Sequence, residues 1–395
     1  MSPDRVRETP SEASSPNGGR DVAGPGATQV ALGRASAAAT PPGAHQPGRR
    51  TWLPTQPLLR HLLIGAGGLV VIWFITSRVS SYDNFQIAQV GAYLVAIAGL
   101  TVLTGLNGQI SLGHGALMGI GAYAAALISL HANLPLVAVL ILATAAAALA
   151  GLIIGLGAAR LRGPYLAGAT LALAVGLPAV AYRWPDELGG GTGLILVQPT
   201  PPSFLGTNFD PQEWIAWISG ICAVITLIVL ANLIRSRYGR SFRAVRDDEI
   251  AASLAGIHVA RTQILAFVVS SACAGLGGAL FALSTGTVNP LGFPLSLSIA
   301  LLAGMVVGGL GSLTGAIWGA ILIVYLPQWA TSFSDTLGLS KGVSSNLAFG
   351  VYGLALIVAM LVAPGGIQGG VRRAANGVRA RRARSSAPAS AGLNS

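Results

Sequence analysis

Two groups of residues in this sequence could do chemistry. The first is Asn107, Gln109, Ser111 and His114, set in a stretch that also holds Gly105, Gly108, Gly113 and Gly115, with Tyr123 closing it. Polar groups at membrane depth face a bundle interior or a water-filled path. These five polar residues are therefore candidates for a translocation path. His114 has two open readings, an interior histidine satisfied by its neighbours or a proton carrier. The second group is the segment 235–262, where Arg235, Arg237, Arg240, Arg243, Arg246 and Arg261 surround the acids Asp247, Asp248 and Glu249. From Glu249 to Ile257 the spacing predicts one short amphipathic helix. Ile250, Leu254 and Ile257 form its apolar edge, Ala251, Ala252 and Ala255 lie beside them, and Gly256 is its stop. Such a helix suits a groove on a soluble partner. The plainer reading of the segment is a loop whose arginines only fix membrane orientation.

Absences narrow the chemistry. The sequence has no GxxxxGK[ST] phosphate loop, no HExxH, no GxSxG and no His/Cys cluster with metal-ligand spacing. Cys222 and Cys273 both fall inside apolar runs and read as small buried hydrophobes. We therefore expect no catalytic residue, no metal site and no cofactor bound by this chain. Asp, Glu, Lys and Arg are missing from the interiors of the apolar runs, which argues against a proton-coupled carrier. Sodium coupling through unwound carbonyls stays open.

The elements that must position these groups follow from hydropathy. Charged residues make up 9% of the chain and hydrophobic ones 52%, with a mean hydropathy of +0.66. Soluble domains carry about 25% charged residues, so most of this chain faces lipid. A bilayer needs about 20 apolar residues per helix. Runs near that length lie at 58–76, 85–104, 110–131, 135–158, 163–182, 214–234, 263–284, 294–311, 313–332 and 344–363. The expected class is an all-α polytopic membrane helix bundle of about ten spans with both termini cytoplasmic. Ten crossings place every arginine-rich segment inside and the acidic loop 183–213 outside. The net charge of +11 then reflects topology and anionic lipid rather than nucleic acid. Residues 1–50, rich in Pro, Gly, Ala and Ser, read as a disordered cytoplasmic segment without the apolar stretch of a signal peptide. A membrane domain spans 51–366, and 367–395 is a basic disordered cytoplasmic tail.

Glycines four apart let helix backbones approach closely in lipid. Gly115 and Gly119, Gly151 and Gly155, and Gly311, Gly315 and Gly319 are read as packing positions. The alternative is that the glycines from Gly105 to Gly115 loosen a helix beside a passage. The Gly-rich runs 105–131 and 304–319 are open to being broken or re-entrant. They also align with each other, Ser111–Gly119 against Ser312–Gly319, as a parallel internal repeat would.

The stretch Gly108-Gln-Ile-Ser-Leu-Gly-His-Gly-Ala-Leu-Met-Gly-Ile-Gly-Ala-Tyr123 resembles a signature of the LivM-type permeases of branched-chain amino acid ABC transporters. So do Gly239-Arg-Ser-Phe-Arg-Ala-Val-Arg-Asp-Asp-Glu-Ile-Ala-Ala252, Gly308-Gly-Leu-Gly-Ser-Leu-Thr-Gly315 and Pro364-Gly-Gly366. The resemblance covers about 85–370. It implies a bacterial inner-membrane importer subunit that works with a homologous second permease, two cytoplasmic ATP-binding subunits that use ATP, and an external substrate-binding protein. Arg243, Arg246, Asp247, Asp248, Glu249, Ala251, Ala252 and Gly256 would then form the ATPase-coupling loop. The general importer motif has Glu-Ala-Ala before its glycine. Here Ile250-Ala251-Ala252 keeps the spacing and Glu249 falls one position early. Related permeases for urea or short amides are an alternative, and a self-sufficient ion-coupled carrier is the rival of another class.

Overall fold

The computed structural model describes residues 57–158, 164–203 and 209–336, with a few positions between 350 and 373. The segment 1–50, nearly all of the run 344–363 and most of the basic tail lie outside the described residues, as does Phe204 in the acidic loop. The helices are α1 (Pro57–Thr76), α2 (Ser81–Leu100), α3 (His114–His131), α4 (Leu136–Ala158), α5 (Pro164–Arg183), α6 (Pro185–Leu188), α7 (Pro211–Arg235), α8 (Arg237–Asp247), α9 (Glu249–Leu254), α10 (Val259–Thr285), α11 (Leu295–Gly309) and α12 (Leu313–Thr336). A π-helical turn, Thr101–Leu106, continues α2. The strands β1 (Leu194–Ile195) and β2 (Thr287–Val288) pair antiparallel and tie the acidic loop to the connection after α10.

Helix dominates because lipid offers no partner for backbone N–H and C=O groups, so each segment must satisfy its own. Among the described residues, seven helical stretches are long and apolar enough to cross a membrane: Ser81–Leu106, His114–His131, Leu136–Gly157, Tyr165–Arg183, Pro211–Arg235, Val259–Thr285 and Pro290–Gly309. Leu63–Thr76 and Leu313–Trp329 are apolar but shorter. This is a multi-pass membrane protein.

Polar caps set where helices start. Ser80 Oγ accepts from the Asp83 amide, and Asp83 Oδ2 accepts in return from the Ser80 amide, both at 3.3 Å. Asp210 caps α7 through the Gln212 amide and accepts from Ser81 Oγ at 3.1 Å, which fastens the starts of α2 and α7 together.

Small residues then decide the packing. α10 is the central post. Gly99 of α2 packs on Cys273 of α10, and Gly277 packs on Ala92 and Ala96, so those two helices run antiparallel. α4 is antiparallel to α10 as well, with Gly151 on Ser271 and Gly155 on Phe267 and Ile264. α3 crosses α10 with backbone against backbone, Gly121 on Gly275 and Gly278 on the Met118 carbonyl. α1 lies along α7, with Gly65 against Ile228 and Gly220 against Ile72.

The remaining glycines divide. Gly315 and Gly319 of α12 meet Gly308 and Gly304 of α11, so α11 and α12 form a tight antiparallel pair. Gly115 lies against Ser298, and Gly119 against Leu177 and Phe293. Gly311 departs from the expected helix stripe. It sits with φ +72° in the turn between α11 and α12, against Gly105, because the backbone leaves the helix at Gly309 (φ +131°). Both segments of the proposed repeat lead into helices, α3 at His114 and α12 at Leu313.

Expected outcome: Gly278→Leu drives a side chain into the α3 backbone and destabilises the bundle by about 3 kcal/mol or more. Gly157→Leu, whose added Cβ meets nothing within 4 Å, is tolerated. Thermal unfolding in detergent checks this, and equal melting points would contradict the crossing.

Candidate functional site

The polar loop folds into two helices rather than one. Phe242 and Val245 stand three apart on α8 and are buried with Gly239, while Arg237 and Arg240 are exposed. Ser236 Oγ caps α8 by accepting from the Tyr238 amide at 3.1 Å. The sequence reading missed α8, although its apolar spacing was there to read beneath the charges.

α9 is where the short amphipathic helix was expected. Asp248 caps it, its Oδ1 accepting from the amides of Ile250 at 2.8 Å and Ala251 at 3.0 Å. Glu249 Oε1 accepts from Gln263 Nε2 at 2.9 Å, which moors α9 to α10. At the far end the Gly256 amide donates to the Ser253 carbonyl and the Ile257 amide to the Ala252 carbonyl. Gly256 has φ +83°, the left-handed conformation that this helix closure uses. Ala252 is buried and Ala251 exposed. Ile250 and Leu254 are 74% and 84% exposed, while Ile257 is half-buried. Two large aliphatic side chains thus stand free on a well-capped helix.

Not every charge of the loop faces outward. Arg246 Nη1 donates to the Gly105 carbonyl at 3.0 Å, reaching across to the π-helical turn. Its Nε and Nη2 donate to Asp247 Oδ1 at 3.0 and 2.8 Å. Arg243 Nη2 reaches the Ile234 carbonyl at the end of α7, at 3.4 Å.

The polar cluster lies on the other side of that contact. The chain from Asn107 to Gly113 is not helical, so the run expected at 110–131 is broken and α3 starts at His114. Backbone groups in the break are satisfied from elsewhere. The Leu112 amide donates to Thr170 Oγ1 of α5 at 3.0 Å, and the Gly115 amide to Ser298 Oγ of α11 at 2.9 Å. These two hydroxyls stand in for the side-chain cap that Gly113 cannot supply. Neither Thr170 nor Ser298 was singled out from sequence, and nothing local distinguishes them from other hydroxyls in apolar runs.

The side chains of the cluster are left over. Asn107, Gln109, Ser111, His114 and Tyr123 are all buried. Both Asn107 amide atoms, Gln109 Oε1, Ser111 Oγ, His114 Nδ1 and Tyr123 OH have no hydrogen-bond partner in the structure. His114 Nε2 lies 2.9 Å from the Ala96 carbonyl, which fits a neutral ring donating from Nε2. A buried polar group without a partner costs about 1–3 kcal/mol, so such a concentration needs a reason. The groups offer donors and acceptors but no nucleophile–base pair. Among the described residues, no group of three His, Cys, Asp or Glu side chains could hold a metal ion.

Near the acidic loop, a cavity of about 660 Å³ is lined by Leu127, Leu130, His131, Asp186, Glu187 and Leu194, among others. Aromatics around the start of α7 pack on one another. Phe209 and Trp214 each contact Trp217, whose Nε1 donates to Thr76 Oγ1 at 2.8 Å.

Comparison with known proteins gives a consistent answer. The profile of the family described as branched-chain amino acid transport system / permease component matches residues 85–363. The high-affinity branched-chain amino acid transport system permease protein LivM of Salmonella typhimurium is 31% identical over 297 residues, 69% of this chain and 69% of the relative. LivM of Escherichia coli is 32% identical over the same shares. The permease protein BraD of Pseudomonas aeruginosa is 29% identical over 309 residues, 70% of this chain and 91% of the relative. No solved structure matches the chain.

Expected outcome: Asp248→Ala removes the cap of α9 and costs that helix about 1 kcal/mol. Hydrogen exchange at the Ile250 and Ala251 amides speeds up accordingly while the α10 core is unchanged. Unaltered exchange would show that the cap does not hold the helix.

Proposed function

The chain belongs to the branched-chain amino acid transport system permease family, and from that premise we propose that it forms, with a homologous second permease, the membrane pathway of a bacterial importer. The chain is a permease subunit of an ABC transporter and not an enzyme. On our reading, two cytoplasmic ATP-binding subunits hydrolyse ATP, and an external binding protein delivers leucine, isoleucine or valine. The pair sits in the inner membrane. This chain crosses ten times, with both termini, the tail arginines and the loop 235–262 in the cytoplasm and 183–213 outside.

One observation carries the coupling role. Ile250 and Leu254 are exposed on a helix fixed at both ends, by Asp248 and by Gly256. An aliphatic pair on a rigid, polar-rimmed tip is the donor half of a helix-in-groove contact. The partner supplies the groove and the movement. Helices α7 and α10, attached directly to the loop at Arg235 and Val259, carry that movement into the membrane. The cluster from Asn107 to His114, with Tyr123, lines part of the path, where its unpartnered atoms bond to polar groups of the cargo in passing. No resident cofactor is required by this chain.

Reconstitution in vesicles tests the whole reading, with labelled leucine and urea offered side by side. Leucine uptake is expected only when ATP, both ATP-binding subunits, the second permease and the binding protein are present. Preference for urea would overturn the substrate assignment. Uptake by this chain alone on an ion gradient would overturn the ABC reading.

A narrower test addresses the tip. Ile250→Asp and Leu254→Asp each weaken association with the ATP-binding subunits by about 2 kcal/mol or more, as expected for a central interface anchor, and leave membrane insertion intact. Unchanged co-purification would remove the docking role from α9.

A further inference from the structure

We infer that Arg246 is a positioning residue that carries movement of the loop helices into the inner end of α2, by way of the Gly105 carbonyl and the π-helical turn, and is not a contact for the partner. The inference rests on the reading that α8 and α9 receive a partner's motion, and it adds where that motion goes.

The geometry begins with the carbonyl. In the π-helical turn the Asn107 amide bonds to the Val102 carbonyl, the Gln109 amide to that of Leu103 and the Gly108 amide to that of Thr104. The downstream amides are thus committed to carbonyls that precede Gly105. The Gly105 carbonyl is served instead by Arg246 Nη1, at 3.0 Å. A guanidinium at a helix C-terminus is also favoured by the helix dipole.

The rest of the side chain is equally engaged. A Cβ placed on Gly108 would lie 2.8 Å from Arg246 Cγ, so the aliphatic stem rests directly on that glycine. Asp247 Oδ1 accepts from Nε and Nη2 and holds the guanidinium plane in place. On its other side Gly105 abuts the turn between α11 and α12, where an added Cβ would fall 2.7 Å from the Gly311 nitrogen. Gly105 is therefore gripped between α8 and the α11–α12 turn.

Both ends of this linkage suit transmission. Phe242 and Val245 are buried beneath α8, so the helix carrying Arg246 moves as a unit with its base. The receiving end is a π-helical turn, an arrangement that is rare and recurs at functional sites. It runs straight into the non-helical Asn107–Gly113, whose side chains have unspent hydrogen-bonding capacity. A segment with spare donors and acceptors has a second bonding arrangement within reach. A pull on Gly105 is applied at the start of that segment.

The test uses the complete complex in vesicles, with wild type, Arg246→Ala and Arg246→Lys compared. ATP hydrolysis and leucine uptake are read in the same preparation, and deuterium exchange is read over peptides covering 103–113. Assembly and hydrolysis are expected to stay at the wild-type level. Uptake per ATP falls on the order of tenfold in Arg246→Ala, within the usual range of coupling between sites. Arg246→Lys keeps the charge but loses the fork, so its coupling stays well below wild type. Exchange over 103–113 becomes faster in both variants.

Unchanged uptake per ATP in Arg246→Ala would overturn the proposal, as would unchanged exchange. Full rescue by lysine would reduce Arg246 to a charge and also overturn it. Loss of assembly in Arg246→Ala together with normal exchange would assign the residue to the partner contact instead. Should the alanine variant fail to insert, the lysine variant and its exchange profile decide the question. Leu254→Asp run in parallel separates the two ideas. If it leaves assembly intact, the docking reading fails, whereas the exchange result still judges the Arg246 link.

Discussion

Gly121 on α3 and Gly275 and Gly278 on α10 bring two helix backbones into direct contact, with no side chain between them. In lipid there is no hydrophobic gain from pressing helices together, so close van der Waals packing must hold the bundle. The arrangement around α10 depends on that approach. α2 and α4 reach the same helix through Gly99, Gly277, Gly151 and Gly155. A post packed this way has little slack, because interiors at native density do not deform continuously. Since α10 also begins at Val259, right after the loop helices, the helix at the centre of these close approaches is also the one attached to the polar loop.

The break before α3 shows how a non-helical stretch is accommodated at such cost to regular structure. Thr170 and Ser298 each offer a hydroxyl to a backbone amide, and Thr104 Oγ1 donates to the Gln109 carbonyl at 2.8 Å. The backbone is thus repaired by side chains from three different helices. Irregular backbone at membrane depth is tolerated where protein buries it or water lines it. The side chains of the same segment receive no such repair. A folding defect would leave backbone and side chains unsatisfied alike. Here the support is selective, and what it leaves available is a row of side-chain donors and acceptors.

Much of this was legible in the sequence. The apolar runs mark the helices, and α4, α5 and α11 begin and end within about two residues of the hydropathy reading. Two of the differences fall where polar caps extend a helix beyond its apolar stretch. α2 starts at Ser81 rather than 85 because of the Ser80–Asp83 pair, and α7 starts at Pro211 rather than 214 because of Asp210. α9 could be read because its start and stop are local, in Asp248 and Gly256. α8 was hidden because its arginines dominate the composition while only Phe242, Val245 and Gly239 face inward. Thr170 and Ser298 were beyond reach, since they act 58 and 183 residues from the amides they serve. Gly311 was misplaced because spacing alone cannot tell a helix stripe from a turn that happens to share its period.

The loop helices finally show why counting arginines misjudges what they do. Six arginines in one segment suggest a uniformly solvated, partner-facing surface, yet the most exposed large side chains on α9 are aliphatic, Ile250 and Leu254. Arg246 bends back onto the membrane domain instead. It takes an arginine to do so. Lysine carries one compact ammonium, whereas the planar fork meets Gly105 and Asp247 at once while its stem lies along Gly108. The contact is a charge-assisted bond at a half-exposed site, unlike the glycine crossings, where backbone packs on backbone. The polar contacts at the loop and the backbone contacts at the post thus differ in kind, charge-assisted and half-exposed in the one, close-packed and buried in the other.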